Sequence, residues 1–365
     1  MLEITEMLQQ AGLEGLGELG IKVVEYENYY VLDYSQIDSP KEHPLVMECR
    51  GTIVRKDTFE VVCLPFRRFS NLFETESTYT IPIEDCIAVE KSDGSLIKVW
   101  WDPIEGVWQV ATRGTAYAEG DVQGWGITFR ELFYRTVGGE EEFQSLANLH
   151  LNRSYTHLFE LCCSENRVVT PYDSDRVYYL SSRNNFTGEC KELDIYYEML
   201  FPLRIKQSNF SVFSSFEDIL DSVKVMKGLE EGYVLYLGGE PVCKVKSPLY
   251  VKAHHVRGEG LTPKRIVDLI WEGEMEEYLT YFPNDSDKVS PYRIAYKNML
   301  ESCLCVKDLS STIEDQKRFA MTVKHLPISG IVFSIRKGMS IAEALERVTK
   351  NRRLEILEQY LDLEE

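Results

Sequence analysis

The sequence predicts an α+β protein, with antiparallel sheet over residues 1–253 and an all-helical region over residues 254–365. Three observations carry that expectation. Before about residue 250, short runs rich in β-branched and aromatic residues alternate apolar with polar and are broken by turn signals. After that point the apolar period lengthens to helical spacing. The chain has 365 residues, 44% hydrophobic and 27% charged, which suffices for two cores and argues against wholesale disorder.

In chain order, residues 1–20 read as a short helix ended by glycines, and "IKVVEYENYYVLDYS" as two strands around "ENY". "ECRGTIVRKDTFEVVCLPF" alternates as a hairpin turning at Lys56 to Thr58. "CIAVEKSDGSLIKVWW", the turn "DPIEG" and "VWQVATRGT" give a strand, a loop and an antiparallel pair. A helical insertion is expected over about Asp121 to Leu149. Strands resume with "THLFELCC", "RVYYLSSRN", "EGYVLYLGG" and "PVCKVKS", the last running on through "PLYVK". In the tail, "TPKRIVDLIWEGEMEEYLTYF" sets Ile266, Leu269, Ile270, Met275, Tyr278, Leu279 and Phe282 near helical spacing behind a Thr-Pro start. "SPYRIAYKNML" opens the same way, and "SIAEALERVTKNRRLEILEQYL" begins with a capping box, Ser340 and Glu343.

No apolar run approaches a membrane span, and "MLEITEMLQQ" is acidic where a signal peptide starts basic, so the expected location is cytoplasmic. The nine cysteines are scattered, and Cys303 and Cys305 have no second pair nearby, so they read as packing or surface thiols. A net charge of −19 argues against a broad polyanion-binding surface. The charge is nevertheless segregated: between Pro241 and Ile270, Lys244, Lys246, Lys252, Arg257, Lys264 and Arg265 stand against Glu259 and Asp268, with Glu240 just before.

"VEKSDGSLIKVW" sets Lys91 two residues before Asp93-Gly94. Alone, Lys-x-Asp-Gly is weak, since about one chain in ten of this length carries one by chance. A surface ion pair at a turn explains it equally well. Its weight comes from what lies around it. Arg50 in "ECRG" falls between strands, Glu160 in "FELCC" sits on a strand, and Glu231 in "EEGYV" stands at the mouth of another. Lys244 and Lys246 are two apart, hence on one face of one strand. Paired lysines facing one way repel unless an anion lies between them, and a phosphate chain answers that need.

Taken in order, "ECRG", "RRFSNLFE", "EKSDGSL", "NRVVTPY", "SSRNNFTGE", "EGYV" and "KVKSPLYV" resemble the blocks of the bacteriophage RNA ligase 1 family, within the covalent nucleotidyltransferases; "KRFAM" is a weaker echo. The resemblance implies an ATP-grasp-like nucleotidyltransferase domain and an ATP-dependent RNA ligase with Mg²⁺ or Mn²⁺, acting in RNA or tRNA repair in a phage-infected cell and working as a monomer. Lys91 would be the adenylated nucleophile, its amine freed by the nearby cations Lys244 and Lys246 and a metal. Arg50, Lys244 and Lys246 would hold the triphosphate, and Glu160 and Glu231 would contact the ribose or a divalent ion. Glu90, Tyr34, Arg68 and Arg113 would complete the nucleotide site, although Tyr34 reads equally as a sheet-packing aromatic. Arg68 and Arg113 stand where the family usually has lysine, which puts a planar fork in place of a compact ammonium. Asp93 would shape the loop, and Gly94 would let it turn. Arg183 falls at a family arginine and is either functional or a sheet-edge solubiliser. Glu276 and Glu277 lie near a family acidic metal site and read equally as a solvated helix face. The helical region is a candidate RNA-specificity domain.

The nearest rivals share the chemistry: a DNA ligase or an mRNA capping enzyme. Those usually follow the paired-lysine strand with a small β-barrel, where this chain has helical spacing. A rival of another class is a non-catalytic nucleotide or RNA-end binding protein on the same fold.

Overall fold

The structure is a computed structural model that describes residues 2–35, 38–191, 205–257 and 260–361. The chain divides into two compact units, Met1–His255 and Val256–Glu365.

The first unit is built on three sheets. The smallest holds β1 (Ile21–Glu25), β2 (Tyr29–Tyr34), β3 (Arg50–Arg55) and β4 (Val61–Cys63) in sequence order, all antiparallel. Helix α1 (Glu3–Ala11) packs Ile4 and Leu8 against it, with Leu32 and Val54 among its neighbours. Helix α2 (Pro44–Glu48) leads into β3. The other two sheets each have five strands. They include β5 (Ser70–Asn71), β6 (Ile87–Glu90), β7 (Ser95–Asp102), β8 (Val107–Ala111), β9 (Tyr155–Cys162), β10 (Arg176–Asn184), β11 (Ile205–Gln207), β12 (Phe210–Ser211), β13 (Gly232–Leu237) and β14 (Glu240–Lys246). One runs β11-β10-β9-β7-β8 and the other β12-β6-β13-β14-β5. Each is antiparallel except for one parallel pair, β10 with β11 and β14 with β5.

Their outer faces are covered by helices. Phe133 of α3 (Phe129–Val137) and Phe143 of α4 (Glu140–His150) pack on Ile97, Val99 and Phe159. Ile219 and Val223 of α5 (Phe216–Lys224) pack on Leu235 and Val245. The inner faces meet through Val89, Leu158, Val234 and Tyr236. Because β6 belongs to one sheet and β7 to the other, residues 91–94 cross between sheets. The Asp93-Gly94 turn is not a hairpin.

The second unit is helical throughout its described elements: α7 (Pro263–Glu272), α8 (Met275–Tyr281), α9 (Ser286–Thr312), α10 (Gln316–Val323), α11 (Ser329–Arg336), α12 (Ile341–Glu346) and α13 (Lys350–Leu361). Its core gathers Met299, Cys303, Phe319, Val332 and Leu357. Arg353 is buried there against Asp268 at 3.1 Å and Glu272 at 3.0 Å. Among the described residues no helix is long and apolar enough to cross a membrane. All nine cysteines are free thiols.

Several local expectations change. The paired-lysine strand ends at Lys246, and "PLYVKAHHVR" is helix α6 (Pro248–Arg257). Pro248 cannot donate to a sheet ladder, but its fixed φ suits the first turn of a helix. Pro291 does not start its helix; α9 begins at Ser286 and carries the proline inside it. The Thr-Pro helix breaks at Gly273, a left-handed C-cap. The Ser340–Glu343 capping box forms as the sequence implied. The expected insertion over Asp121 to Leu149 is helical only from Phe129, as α3 and α4. Helices α2 and α5 carried no expectation, since both fell between the strand patterns.

Candidate active site

Lys91 and Lys246 share one carboxylate. Lys91 Nζ donates to Glu231 Oε2 at 2.6 Å, and Lys246 Nζ pairs with Glu231 Oε1 at 2.7 Å. The elements explain the meeting. Lys91 N–H donates to Gly232 O, which extends the β6–β13 ladder by one rung and sets Lys91 beside Glu231. On the other flank Gly232 pairs with Lys246 across β13–β14. Gly232 adopts φ +129°, and a Cβ there would lie 2.0 Å from Val245 O, so only glycine fits.

Glu160 enters from the opposite sheet, on β9 beside Leu96 of β7. Its Oε1 accepts the Gly94 N–H at 3.1 Å. A Cβ on Gly94 would come within 2.2 Å of Leu161 O. The glycine is therefore required by close approach to β9, not by a positive φ.

Asp93 is the knot of the crossover, and it turns away from the lysine. Its Oδ2 accepts the backbone N–H groups of Val169 at 2.7 Å and Thr170 at 2.6 Å. Its Oδ1 accepts the Tyr250 hydroxyl of α6 at 2.6 Å, and its own N–H donates to the Tyr172 hydroxyl at 2.8 Å. The carboxylate is 3% exposed and fully engaged.

Burial alone would push the Lys91 amine down, but Glu231 and then Glu160 outweigh it and hold its pKa above the ordinary value. The depressed lysine is Lys244, lowered to about 8 by burial and then by Lys246, Arg50 and Lys91. Burial raises the Glu231 carboxyl, but Lys91 and Lys246 overcome this and hold it below the usual range. Burial pushes Glu160 up to about 7, against the pull of Lys91.

Arg50 and Lys244 both lie 5.7 Å from the ring centre of Phe69. Arg113 donates to Asp33 at 2.8 Å and lies 4.5 Å over the ring of the buried Tyr34. Lys98, fully buried on β7, donates to Gly51 O beside Arg50. Arg68 is bound to Glu74 at 2.9 Å and Ser70 at 3.0 Å, and the exposed Glu90 accepts from Asn209 at 2.8 Å.

Arg183 is not a sheet-edge solubiliser. It is wholly buried, makes a bidentate pair with Glu48 at 2.8 and 3.0 Å, and donates to the carbonyls of Pro65 and Gly188. It anchors the residue two before Arg50. Glu276 is exposed and paired with Arg293, and the Glu277 side chain lies outside the described residues. No group of three His, Cys, Asp or Glu able to cage a metal occurs among the described residues.

Sequence reasoning missed Lys98, Phe69, Tyr172 and Tyr250. Lys98 alone left a signal, a lysine amid the apolar run "LIKVWW".

The family described as RNA ligase matches residues 48–250. A protein of Autographa californica nuclear polyhedrosis virus, named as a bifunctional polynucleotide kinase/RNA ligase, is 30% identical over 93% of this chain and 50% of its own length. The chain thus spans about half the length of that relative. The protein named RNA ligase of Rhodothermus phage RM378 is 24% identical over 86% of each chain. Among solved structures, form 2 of an archaeal ATP-dependent RNA ligase aligns with a TM-score of 0.48 at 15% identity, over 83% of this chain and 82% of that one.

Proposed function

Because this chain belongs to the RNA ligase family over residues 48–250, we propose that it joins RNA ends at the expense of ATP, with Lys91 as the adenylated nucleophile. The single observation that supports this best is the shared carboxylate. Glu231 holds Lys91 and Lys246 side by side, and Lys244 stands next to them with no carboxylate within ion-pair distance among the described residues. An excess of cations around a poised amine suits a polyphosphate.

In the first step the Lys91 amine, having lost its proton, attacks the α-phosphorus of ATP. A P–N bond forms, the bond to the β-phosphate oxygen breaks, and pyrophosphate leaves. Lys244, Lys246 and Arg50 carry the charge that develops. In the second step a 5′-phosphate oxygen of RNA attacks the same phosphorus. The P–N bond breaks and the amine departs, taking up a proton. In the third step an RNA 3′-hydroxyl attacks the 5′-phosphorus, AMP leaves, and the phosphodiester bond forms.

Glu160 fits a divalent ion brought in by the triphosphate: burial has raised its pKa, and the hydrogen bond it accepts from Gly94 uses a single oxygen. Such an ion would neutralise triphosphate charge and make the Lys91 proton easier to lose. Glu231 serves Lys91 and Lys246, and Asp93 serves the loop, so neither is a spare ligand.

Incubation with α-labelled ATP and Mg²⁺, followed by denaturing electrophoresis, tests the proposal. The wild type should carry label and Lys91→Ala none. An unlabelled wild type would return the chain to the class of non-catalytic binders. Sealing of broken tRNA, linear RNA and nicked DNA, compared side by side, separates RNA from DNA joining. We further propose that the helical unit selects the RNA, tRNA being the expected substrate, and that the protein acts as a monomer. A chain ending at Arg257 that kept full tRNA preference would refute the first of these, and sedimentation checks the second.

A further inference from the structure

Beyond the paired lysines the first unit holds a cleft of about 420 Å³ whose lining includes Asn71, Phe73, Leu220, Lys244, Lys246 and His254. The lining combines lysines with apolar and aromatic residues. Phe73 is the third residue of a turn closed by Glu74 N–H donating to Asn71 O, and it adopts φ +64°. A bulky side chain rarely adopts that conformation. Glycine would fill the place without strain. The ring is nevertheless 38% exposed, and it leads a small aromatic group with Tyr79 at 4.9 Å and Phe216 at 5.4 Å. Tyr79 is itself 58% exposed. Asn71 gives a second, independent sign: its Oδ1 is buried with no hydrogen-bond partner among the described residues.

We propose that this cleft seats the 5′-terminal nucleotide of the RNA, its base stacked on Phe73 and its phosphate on Lys244 and Lys246. The inference rests on the ligase reading given above. Lys91 is the entering group in the first step and the leaving group in the second, so it holds the same apical side of the phosphorus in both. The RNA phosphate oxygen must therefore enter where pyrophosphate left, beside Lys244 and Lys246. The nucleoside attached to that phosphate then lies in the space those lysines border. A π-face suits any base, which matches a site that must accept ends of varied sequence.

The test uses full-length protein already carrying labelled AMP, so that ATP binding is outside the measurement. AMP transfer to 5′-phosphorylated RNA is followed in single turnovers as RNA concentration is varied. Phe73→Ala should raise the half-saturating RNA concentration about tenfold and change the saturating rate little. Phe73→Trp should stay near wild type. Phe73→Gly removes the ring and the strain together and should behave like Phe73→Ala. RNA lacking its 5′-terminal base should lose about tenfold against the wild type and nothing further against Phe73→Ala.

Wild-type half-saturation in Phe73→Ala would overturn the proposal, as would an equal penalty for the missing base in both proteins. If neither the alanine nor the glycine variant took up AMP, Phe73 would be a packing residue and the proposal would also fall. A wild type that takes no label from ATP would instead remove the ligase reading itself.

Discussion

Glu48 and Glu231 are both buried carboxylates that hold two cations, yet they are built for opposite ends. Glu48 is gripped by the Arg183 fork, whose remaining donors go to the Gly188 and Pro65 carbonyls, while Arg67 closes the outer side. Arg183 has no exposed surface. Glu231 holds two lysines, and their side chains are 24% and 27% exposed. A guanidinium fork fixes geometry and keeps its charge, whereas an ammonium is a point charge on a flexible stem whose proton can be removed. The first cluster is closed and supports the chain two residues from Arg50. The second is open on the side where a substrate arrives.

The contrast breaks most clearly under substitution. Arg183→Met should cost about 3–5 kcal/mol of stability, because it strands a buried carboxylate. Thermal or urea unfolding measures this, and the fraction still folded should take up label. Glu231→Ala should cost only about 1 kcal/mol, since the two ammonium groups it leaves reach water. Its lysyl-adenylate yield should nevertheless fall about a hundredfold. Equal stability losses in the two variants would erase the distinction.

A smaller effect concerns Glu160, whose carboxyl is raised from about 4.5 to about 7 by burial. Such a group takes up a proton on folding between those values, so its ionised form burdens the fold increasingly as pH rises toward 7. Glu160→Gln should therefore be more stable than the wild type by about 1–3 kcal/mol at pH 8, and by little at pH 4. Unfolding at the two pH values checks it.

The third effect is a titration. Glu231 raises the Lys91 pKa, so Glu231→Gln should shift Lys91 titration downward, read from the pH dependence of its reaction with an amine reagent. An unshifted titration would show that Glu231 does not govern Lys91. The smallest effect belongs to Arg113. A lysine there cannot both fork to Asp33 and stack on Tyr34, so Arg113→Lys should raise the ATP concentration for half-maximal labelling about two- to fivefold.

What was legible in the sequence was what depends on local period and spacing. Alternation marked β6 to β8 and β13, two-residue spacing set Lys244 and Lys246 on one face, and the capping box fixed the start of α12. Pro248 and Pro291 misled because proline stops a ladder in one place and sits inside a helix in another. The charge state of Lys91 and the anchoring role of Arg183 were hidden for another reason. Each is decided by one carboxylate more than a hundred residues away, and nothing local announces which.

Asp93 carries a consequence for synthesis on the ribosome. Its side chain is satisfied only by Val169, Thr170 and Tyr250, which lie 76, 77 and 157 positions downstream. In a nascent chain β6 has no strand partner until β12 and β13 have emerged, and the crossover loop, closed first on Val169 and Thr170, is completed only by Tyr250 of helix α6. Lys91 therefore reaches its final setting late in translation, after the whole sheet framework, and a chain cut short before residue 250 lacks the last tie of its loop.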